Sequence, residues 1–375
     1  MKKIFVLIIT VVFIGGISLS SILIETQEET FIDPKQTHTV ANLRVAVIGD
    51  QGLGSNAVSV LKLIKDEGAH MVLHQGDFDY QDDPDKWDKQ ISDVLGSDFP
   101  YFATIGNHDV KAWGLSMPTL PHKIPMAIVT ATQAAINTSM VNKLLPDLVL
   151  SSGSYQEKLY DRLKKNPDAI CIGDLGVKSS CTYQGLFFTL TGPGIKDWDH
   201  GSFIEKQLND NDSIWRICSW HSNMRAMQLG DRPDESGWEV YESCQNNGAI
   251  IVTGHEHSYS RTKTLIDLKN QIVDPEWSEP NKLRVKEGAT FVVVNGLGGS
   301  SIRSQELCLP TFYPYGCNQI WASIYTNNQD ANYGALFCTF NVEGKPDKAH
   351  CYFKNINGEI IDEFTITSFV GKPTL

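Results

Sequence analysis

The sequence predicts an α/β fold, and three observations predict it. Apolar strands and amphipathic helices alternate from Leu43 onward, the early strands each run into a polar loop rich in carboxylate, amide or imidazole groups, and the composition is that of a globular chain. With 375 residues, 41% of them hydrophobic and 20% charged, and no repeat or low-complexity tract, the chain is neither a solenoid nor a disordered scaffold. Its length suits one large α/β domain with insertions as well as two small ones. A formal net charge of -12 argues against a nucleic-acid partner, because such surfaces need clustered Lys and Arg.

The chain begins Met1-Lys2-Lys3, followed by an apolar run over residues 4–14, Gly15-Gly16 and a Ser-rich apolar stretch to Ile24. Residues 1–24 therefore read as an export segment. It is either a signal peptide cut after Ser20 or a retained membrane anchor, since the stretch is about long enough to span a bilayer. Residues 25–42 turn polar and aperiodic, as a linker does, and a domain over 43–370 follows. Everything beyond the export segment is expected outside the cytoplasm, extracellular or on the outer face of the cell membrane, with the N-terminal segment as a potential membrane tether.

Within the domain, a strand over 43–48 runs into Gly49-Asp50-Gln51-Gly52, and Val58, Leu61 and Ile64 mark a helix over 56–65. A strand over 71–73 leads to Gly76-Asp77, a helix over 85–94 follows, and a strand over 101–105 ends at Gly106-Asn107-His108-Asp109. This is the rhythm of a sheet whose functional side chains gather beyond the strand ends. Residues 112–168 depart from it, with Pro118, Pro121 and Pro125 followed by helices over 131–145 and 155–165, and read as an insertion bordering the site. The alternation then resumes: strand 185–191, helix 202–208, strand 215–220 delivering His221, helix 238–244, and strand 249–253 delivering Gly254-His255-Glu256-His257. The remainder reads as β, with a strand over 289–295, a glycine loop over 296–299, and a meander over 335–367 that turns at Asn357-Gly358.

Eight cysteines without a C-x-x-C pair exclude a zinc knot and fit an oxidising compartment. Local spacing suggests the pairs Cys171 with Cys181, Cys308 with Cys317, and Cys338 with Cys351. For Cys218 and Cys244 buried free thiols stay an open alternative. Trp215, Trp220 and Trp238 read as core, and His38, His70, His74, His122 and His350 as structural. Asn137-Thr138-Ser139 and Asn211-Asp212-Ser213 match the glycosylation sequon.

Each polar loop is weak evidence alone. Gly49-Asp50-Gln51-Gly52 makes an ordinary turn, and Asn107-His108-Asp109 has turn chemistry of its own. A carboxylate such as Asp77 after a buried strand is costly to desolvate without a partner. His255 and His257, one residue apart after an apolar strand, can reach one centre together. The set decides the matter: two Asp, one Asn and three His, at strand ends read as belonging to one sheet, supply oxygen and nitrogen donors suited to two divalent or trivalent metals.

Together these blocks resemble the calcineurin-like metallophosphoesterase superfamily, and within it the purple acid phosphatase branch, whose pattern runs G-D-x-G, G-D-x-x-Y, G-N-H-[DE], a single His after a later strand, and G-H-x-H-x-Y-x-R. The chain carries Gly49-Asp50-Gln51-Gly52, Gly76-Asp77-Phe78-Asp79-Tyr80, Gly106-Asn107-His108-Asp109, His221 and Gly254-His255-Glu256-His257-Ser258-Tyr259-Ser260-Arg261, in that order. The resemblance spans roughly residues 43–367. It implies a four-layer α/β/β/α metallophosphoesterase sandwich, classed α/β or α+β, with the metal site at strand ends.

It also implies that Asp50, Asp77, Tyr80 and His257 hold one metal and Asp77, Asn107, His221 and His255 a second. Asp77 would bridge, as two cations about 3.5–4 Å apart require. The expected cofactors are two metal ions, Fe(III) with Fe(II), Zn or Mn, ferric iron being favoured by the Tyr80 phenolate. The implied activity is that of an acid phosphatase-like phosphomonoesterase, in which a metal-bridging hydroxide attacks a small phosphate ester in line. Asn107 and His108 would bind the phosphoryl group, and His108, oriented by Asp109, would protonate the leaving group. The chain departs from the branch after His221, where Ser222-Asn223-Met224 replaces a second His or a Pro. His200 is the candidate to restore that phosphate contact, and Arg261 is a further substrate-binding candidate. A phosphodiesterase with the same metals and a non-catalytic exported metal-binding module are the alternatives.

Overall fold

The computed structural model describes residues 40–114 and 153–371. The export segment, nearly all of the linker, Pro118, Pro121, Pro125, the 131–145 helix, the Asn137 sequon, His38 and His122 lie outside the described residues.

In chain order the elements are β1 (Leu43–Ile48), α1 (Ser55–Asp66), β2 (Met71–His74), α2 (Pro84–Val94), β3 (Tyr101–Ala103), α3 (Tyr155–Leu163), β4 (Ala169–Asp174), β5 (Lys178–Tyr183), β6 (Leu186–Thr191) and α4 (His200–Asn209). They continue as β7 (Trp215–Ser219), α5 (Trp238–Asn246), β8 (Ile250–Thr253), β9 (Tyr259–Thr262), β10 (Leu265–Asp267), β11 (Ile272–Val273), β12 (Lys282–Val285), β13 (Val292–Asn295), β14 (Trp321–Tyr325), β15 (Gly334–Phe340), β16 (Lys348–Asn355) and β17 (Ile360–Ser368). Local chemistry sets the helix ends. Asp83 accepts the Lys86 amide and Pro84 opens α2, while Ser154 accepts the Glu157 amide ahead of α3. Helix α1 buries the stripe Ala57, Val60, Leu61 and Ile64 against the sheet.

Two sheets face each other. The first has the order β12-β17-β16-β15-β1-β2-β3 and the second β14-β9-β13-β8-β7-β6-β5-β4, with β10-β11 as a separate pair. Val47, Leu336 and Phe340 of the first meet Ile217, Val252 and Val293 of the second in one core. Helices α1, α2 and α3 cover the first sheet, α4 and α5 the second, which gives the expected four layers. The expectation of one sheet is corrected: β1, β2 and β3 run parallel in the first sheet, whereas β6, β7, β8 and β13 run parallel in the second. Both parallel sets end at the candidate site.

Four disulfides form. Cys171–Cys181, Cys308–Cys317 and Cys338–Cys351 follow the local pairing, the last joining directly opposed residues of β15 and β16. Cys218–Cys244 ties β7 to α5, the helix packed over it, so neither is a free thiol. Trp215 and Trp220 are buried in the core.

Candidate metal centre

Each donor loop follows a strand that a buried parallel neighbour holds in place. Asp50 follows β1, Asp77 follows β2, Asn107 and His108 follow β3, His221 follows β7, and His255 and His257 lie between β8 and β9. The loops of Asp77 and Asn107 touch backbone to backbone. A Cβ on Gly106 would lie 2.2 Å from the Asp77 nitrogen, and one on Gly76, at φ +86°, would lie 2.6 Å from the Gly106 nitrogen. Only glycine fits at either place. Asp50, Asp77, Tyr80 and His255 take left-handed backbone conformations, with φ of 58°, 59°, 59° and 69°. Such strain, on the order of 1 kcal/mol each, persists where surrounding structure over-determines it. Here Asp79 does so, accepting the amides of Gln81, Asp82 and Asp83 and the Tyr155 hydroxyl, and thereby fixing the turn that carries Tyr80.

The side chains fall into two adjoining groups. In one, the Tyr80 hydroxyl lies 3.0 Å from Asp50 Oδ1 and 3.1 Å from His257 Nε2, and His257 Nε2 is 3.1 Å from Asp50 Oδ1. In the other, His221 Nε2 lies 3.0 Å from Asn107 Oδ1, 3.0 Å from His255 Nδ1 and 3.4 Å from Asp77 Oδ2. The donor atoms of Asp77, His221 and His255 are all within 4.8 Å of one another, on buried residues.

The outer partners of the imidazoles bear on whether metals fit. His221 Nδ1 donates to the Gln75 carbonyl at 2.6 Å, His255 Nε2 lies 2.8 Å from a Glu235 carboxylate oxygen, and His257 Nδ1 meets Ser301 Oγ. His221 and His257 thus have one nitrogen anchored outward and the other turned toward the carboxylates, the arrangement that fixes a metal-binding tautomer, whereas His255 Nε2 lies between the Glu235 carboxylate and Arg232 Nη1, 3.0 Å away. His221 Nε2 and His255 Nδ1 face each other, two lone pairs that a shared cation would satisfy. The donors fit two ions of hard or borderline character.

Electrostatics agree. Burial alone would raise Asp50 and Asp77, but the imidazoles, His257 foremost for Asp50 and His221 for Asp77, hold both carboxyls below their usual range. Burial opposes charge on His221, yet Asp77 and Asp50 lift it to about 9, while burial and His221 push His255 down to about 3. Burial and the two carboxylates hold the Tyr80 phenol far above its ordinary value. Among the described residues no Lys or Arg forms an ion pair with Asp50 or Asp77. The cluster therefore relies on imidazolium or bound cations for counter-charge.

Three expectations are corrected. Asp109 does not orient His108: its buried carboxylate accepts the backbone amides of Asp77, Phe78 and Gly106 at 2.8, 2.8 and 2.7 Å, clamping the two loops together. Burial and then Asp77 raise this carboxyl to about 8. His200 opens α4 and its Nε2 contacts the Lys196 carbonyl in its own loop, so it does not restore a phosphate contact. Arg261 is fully buried on β9 and pairs with Asp362 of β17, Oδ2 lying 2.7 Å from its Nε, away from any substrate. His108 is exposed, its ring 4.8 Å from that of Tyr80 and its backbone amide donating to Asp77 Oδ1. His74 is structural, accepting the Gly76 amide on Nδ1. The sequence reading missed Gln75, Glu235 and Ser301. Ser301 alone had a signal, lying just beyond the 296–299 glycine loop.

No curated protein sequence matches the chain. Among solved structures it resembles the purple acid phosphatase from seeds of yellow lupin, Lupinus luteus, with a TM-score of 0.56 and 18% identity over 92% of this chain and 58% of that one. The chain thus spans 58% of the lupin protein's length. It also resembles the anchor in the inner membrane complex of Plasmodium, with a TM-score of 0.50 and 12% identity over 89% of this chain and 91% of that one. These likenesses concern the fold. A family model for the calcineurin-like phosphoesterase matches residues 43–259, a stretch that runs from β1, just ahead of Asp50, past His257. That match covers more than half of the sequence and every candidate donor, and the chain belongs to the calcineurin-like phosphoesterase family.

Proposed function

We propose that the chain is an exported, dinuclear metal-dependent phosphoester hydrolase, acid phosphatase-like and acting on monoesters. The observation that carries this reading is the closeness of two donor groups, Asp50 with Tyr80 and His257, and Asp77 with Asn107, His221 and His255, linked where the His255 amide donates to Asp50 Oδ2. Asp77 would be shared. Two metal ions held there would supply an acidified water as nucleophile and offset charge on the phosphoryl oxygens. The chain's own groups do the rest: Asn107 and His108 contact the phosphoryl oxygens, and His108, solvent-facing beside the donors, delivers a proton to the leaving oxygen. Four disulfides and the apolar residues 1–24 support an exported location, with residues 25–42 as linker and 43–370 as the catalytic domain.

Metal analysis of the purified domain, paired with a panel of monoesters and diesters, tests the reading. Two metals per chain are expected, with monoesters hydrolysed faster than diesters, activity lost on chelation and regained on metal readdition. Diester preference would favour the phosphodiesterase alternative, and chelator-resistant hydrolysis would overturn the mechanism. Because the same fold serves as an anchor in the Plasmodium protein, a non-catalytic exported module is the second reading, and a fully loaded protein that hydrolyses nothing would establish it.

Tyr80 carries a separate prediction. Its phenol is held protonated by burial and two carboxylates, so only a strongly charged cation in the Asp50–His257 group would displace the proton. Ferric iron is such a cation, and its phenolate bond absorbs visible light. Iron-loaded protein is expected to be pink to purple, and Tyr80→Phe to bleach it with the circular dichroism spectrum unchanged. Colour surviving Tyr80→Phe would exclude phenolate ligation.

A further inference from the structure

Behind His255 lies a cleft of about 410 Å³ lined by Arg232, Arg303, Glu256, Gly230, Ser304 and Asn327 among others. None of its lining residues is a candidate metal donor, and its link to the metal centre runs through the contacts of Arg232 and Arg303 with His255. His255 turns Nδ1 toward His221, while its Nε2 lies 3.0 Å from Arg232 Nη1, and Arg303 donates from Nη1 to the His255 carbonyl at 3.2 Å. The Arg303 backbone amide donates to the His257 carbonyl, so both arginines are anchored to the histidine loop.

The two guanidiniums converge on a single carboxylate. Oε2 of Glu256, a residue 1% exposed, lies 3.4 Å from Arg303 Nη1 and 4.0 Å from Arg232 Nε. Gly230 permits this approach, because a Cβ there would come within 2.4 Å of Glu256 Oε2. Glu306 also lines the cleft, so the two arginines are balanced in formal charge, and what the cleft offers is unengaged N–H donors rather than excess positive charge. Each guanidinium carries five N–H donors, and the contacts above engage only one or two of them. Their side chains are 35% and 33% exposed, so the remaining donors face the cleft. Glu256 Oε1 is buried and without a hydrogen-bond partner, an acceptor that lacks a donor.

We propose that this cleft is a second anion subsite. It takes a carboxylate or phosphate borne by the leaving group of the ester, through Arg232 and Arg303. The inference rests on the phosphoesterase reading and names its substrate class: phosphate monoesters of small hydroxylated acids or of second phosphates, in preference to neutral alcohols. Arginine suits this task because its planar fork pairs with carboxylate and phosphate oxygens two at a time.

The experiment compares 3-phosphoglycerate with glycerol 3-phosphate, which share a hydroxyl beside the phosphate-bearing carbon and differ in carboxylate against hydroxymethyl. The metal-loaded wild type should show a kcat/KM about tenfold or more higher for 3-phosphoglycerate, and Arg303→Gln and Arg232→Gln should each remove about tenfold of it through KM. With each rate normalised to bound metal, both variants should lose clearly more kcat/KM for 3-phosphoglycerate than for glycerol 3-phosphate. Equal kcat/KM for the two esters in wild type, or equal losses of both in the variants, would overturn the subsite. If Arg303→Gln fails to fold, Arg232→Gln carries the test. If the loaded protein hydrolyses neither these esters nor any other of the monoester and diester panel, the phosphoesterase reading fails by itself. Calorimetry of 3-phosphoglycerate with metal-free protein then decides the subsite: binding lost in the variants sustains it, and absence of binding to wild type refutes it.

Discussion

Replacing His108 with Ala is expected to lower kcat by about 10² to 10⁴, the range for a lost general acid, while both metals stay bound. The separation follows from geometry. The His108 ring touches Tyr80 but belongs to neither donor group, and the link from residue 108 to Asp77 runs through the backbone amide, which alanine keeps. A proton donor matters most when the leaving oxygen is basic. Alkyl phosphates should therefore lose more than aryl phosphates, whose phenolate departs with little help. Equal losses for the two classes, measured with metal content constant, would remove His108 from the acid role.

Asp109→Ala should act on stability instead. It strands three buried amides, those of Asp77, Phe78 and Gly106, and a buried donor without an acceptor costs about 1–3 kcal/mol. The unfolding free energy should drop by on the order of 3 kcal/mol or more, read from the denaturant midpoint, and metal retention should fall with it, because the clamp sets the approach of the Asp77 and Asn107 loops. Asp109→Asn keeps one acceptor oxygen and should lose less. If Asp109→Ala instead unfolds like wild type and loses turnover as His108→Ala does, Asp109 would act through His108, as the sequence first suggested.

The site was legible in the sequence because its donors obey a local rule: each follows an apolar run at a strand end, so the positions of Asp50, Asp77, Asn107, His221, His255 and His257 could be read from hydrophobic pattern and glycine placement. Helix α1 was legible for the same reason, Val58, Leu61 and Ile64 repeating at helical spacing, although the buried stripe runs through Ala57 and Val60 rather than Val58. What escaped depends on contacts distant in sequence. Nothing near Val47 says that it pairs with Leu336, so although the resemblance implied two β layers, the local pattern could not tell which strands belong to which sheet. Strand β5, Lys-Ser-Ser-Cys-Thr-Tyr, hides its burial behind polar side chains that only its neighbours make tolerable. Arg261 looked like a substrate ligand because the motif does not reveal Asp362, and Glu235 looked like one acid among many because its partner His255 lies across a loop.

The pairing of β1 with β15 also has a temporal meaning. A chain is made from its N-terminus at about 5–20 residues per second, so every candidate donor from Asp50 to His257 exists before Gly334–Phe340 is synthesised. Until then β1 has β2 on one side and a bare edge on the other, an aggregation-prone surface that carries the full donor set without the framework to hold it. The link from Arg261 to Asp362 closes later still, joining the second sheet to the last strand of the first. The nascent protein thus acquires its ligands early and its cage last, so the donor set is held in place only once the last strands have joined.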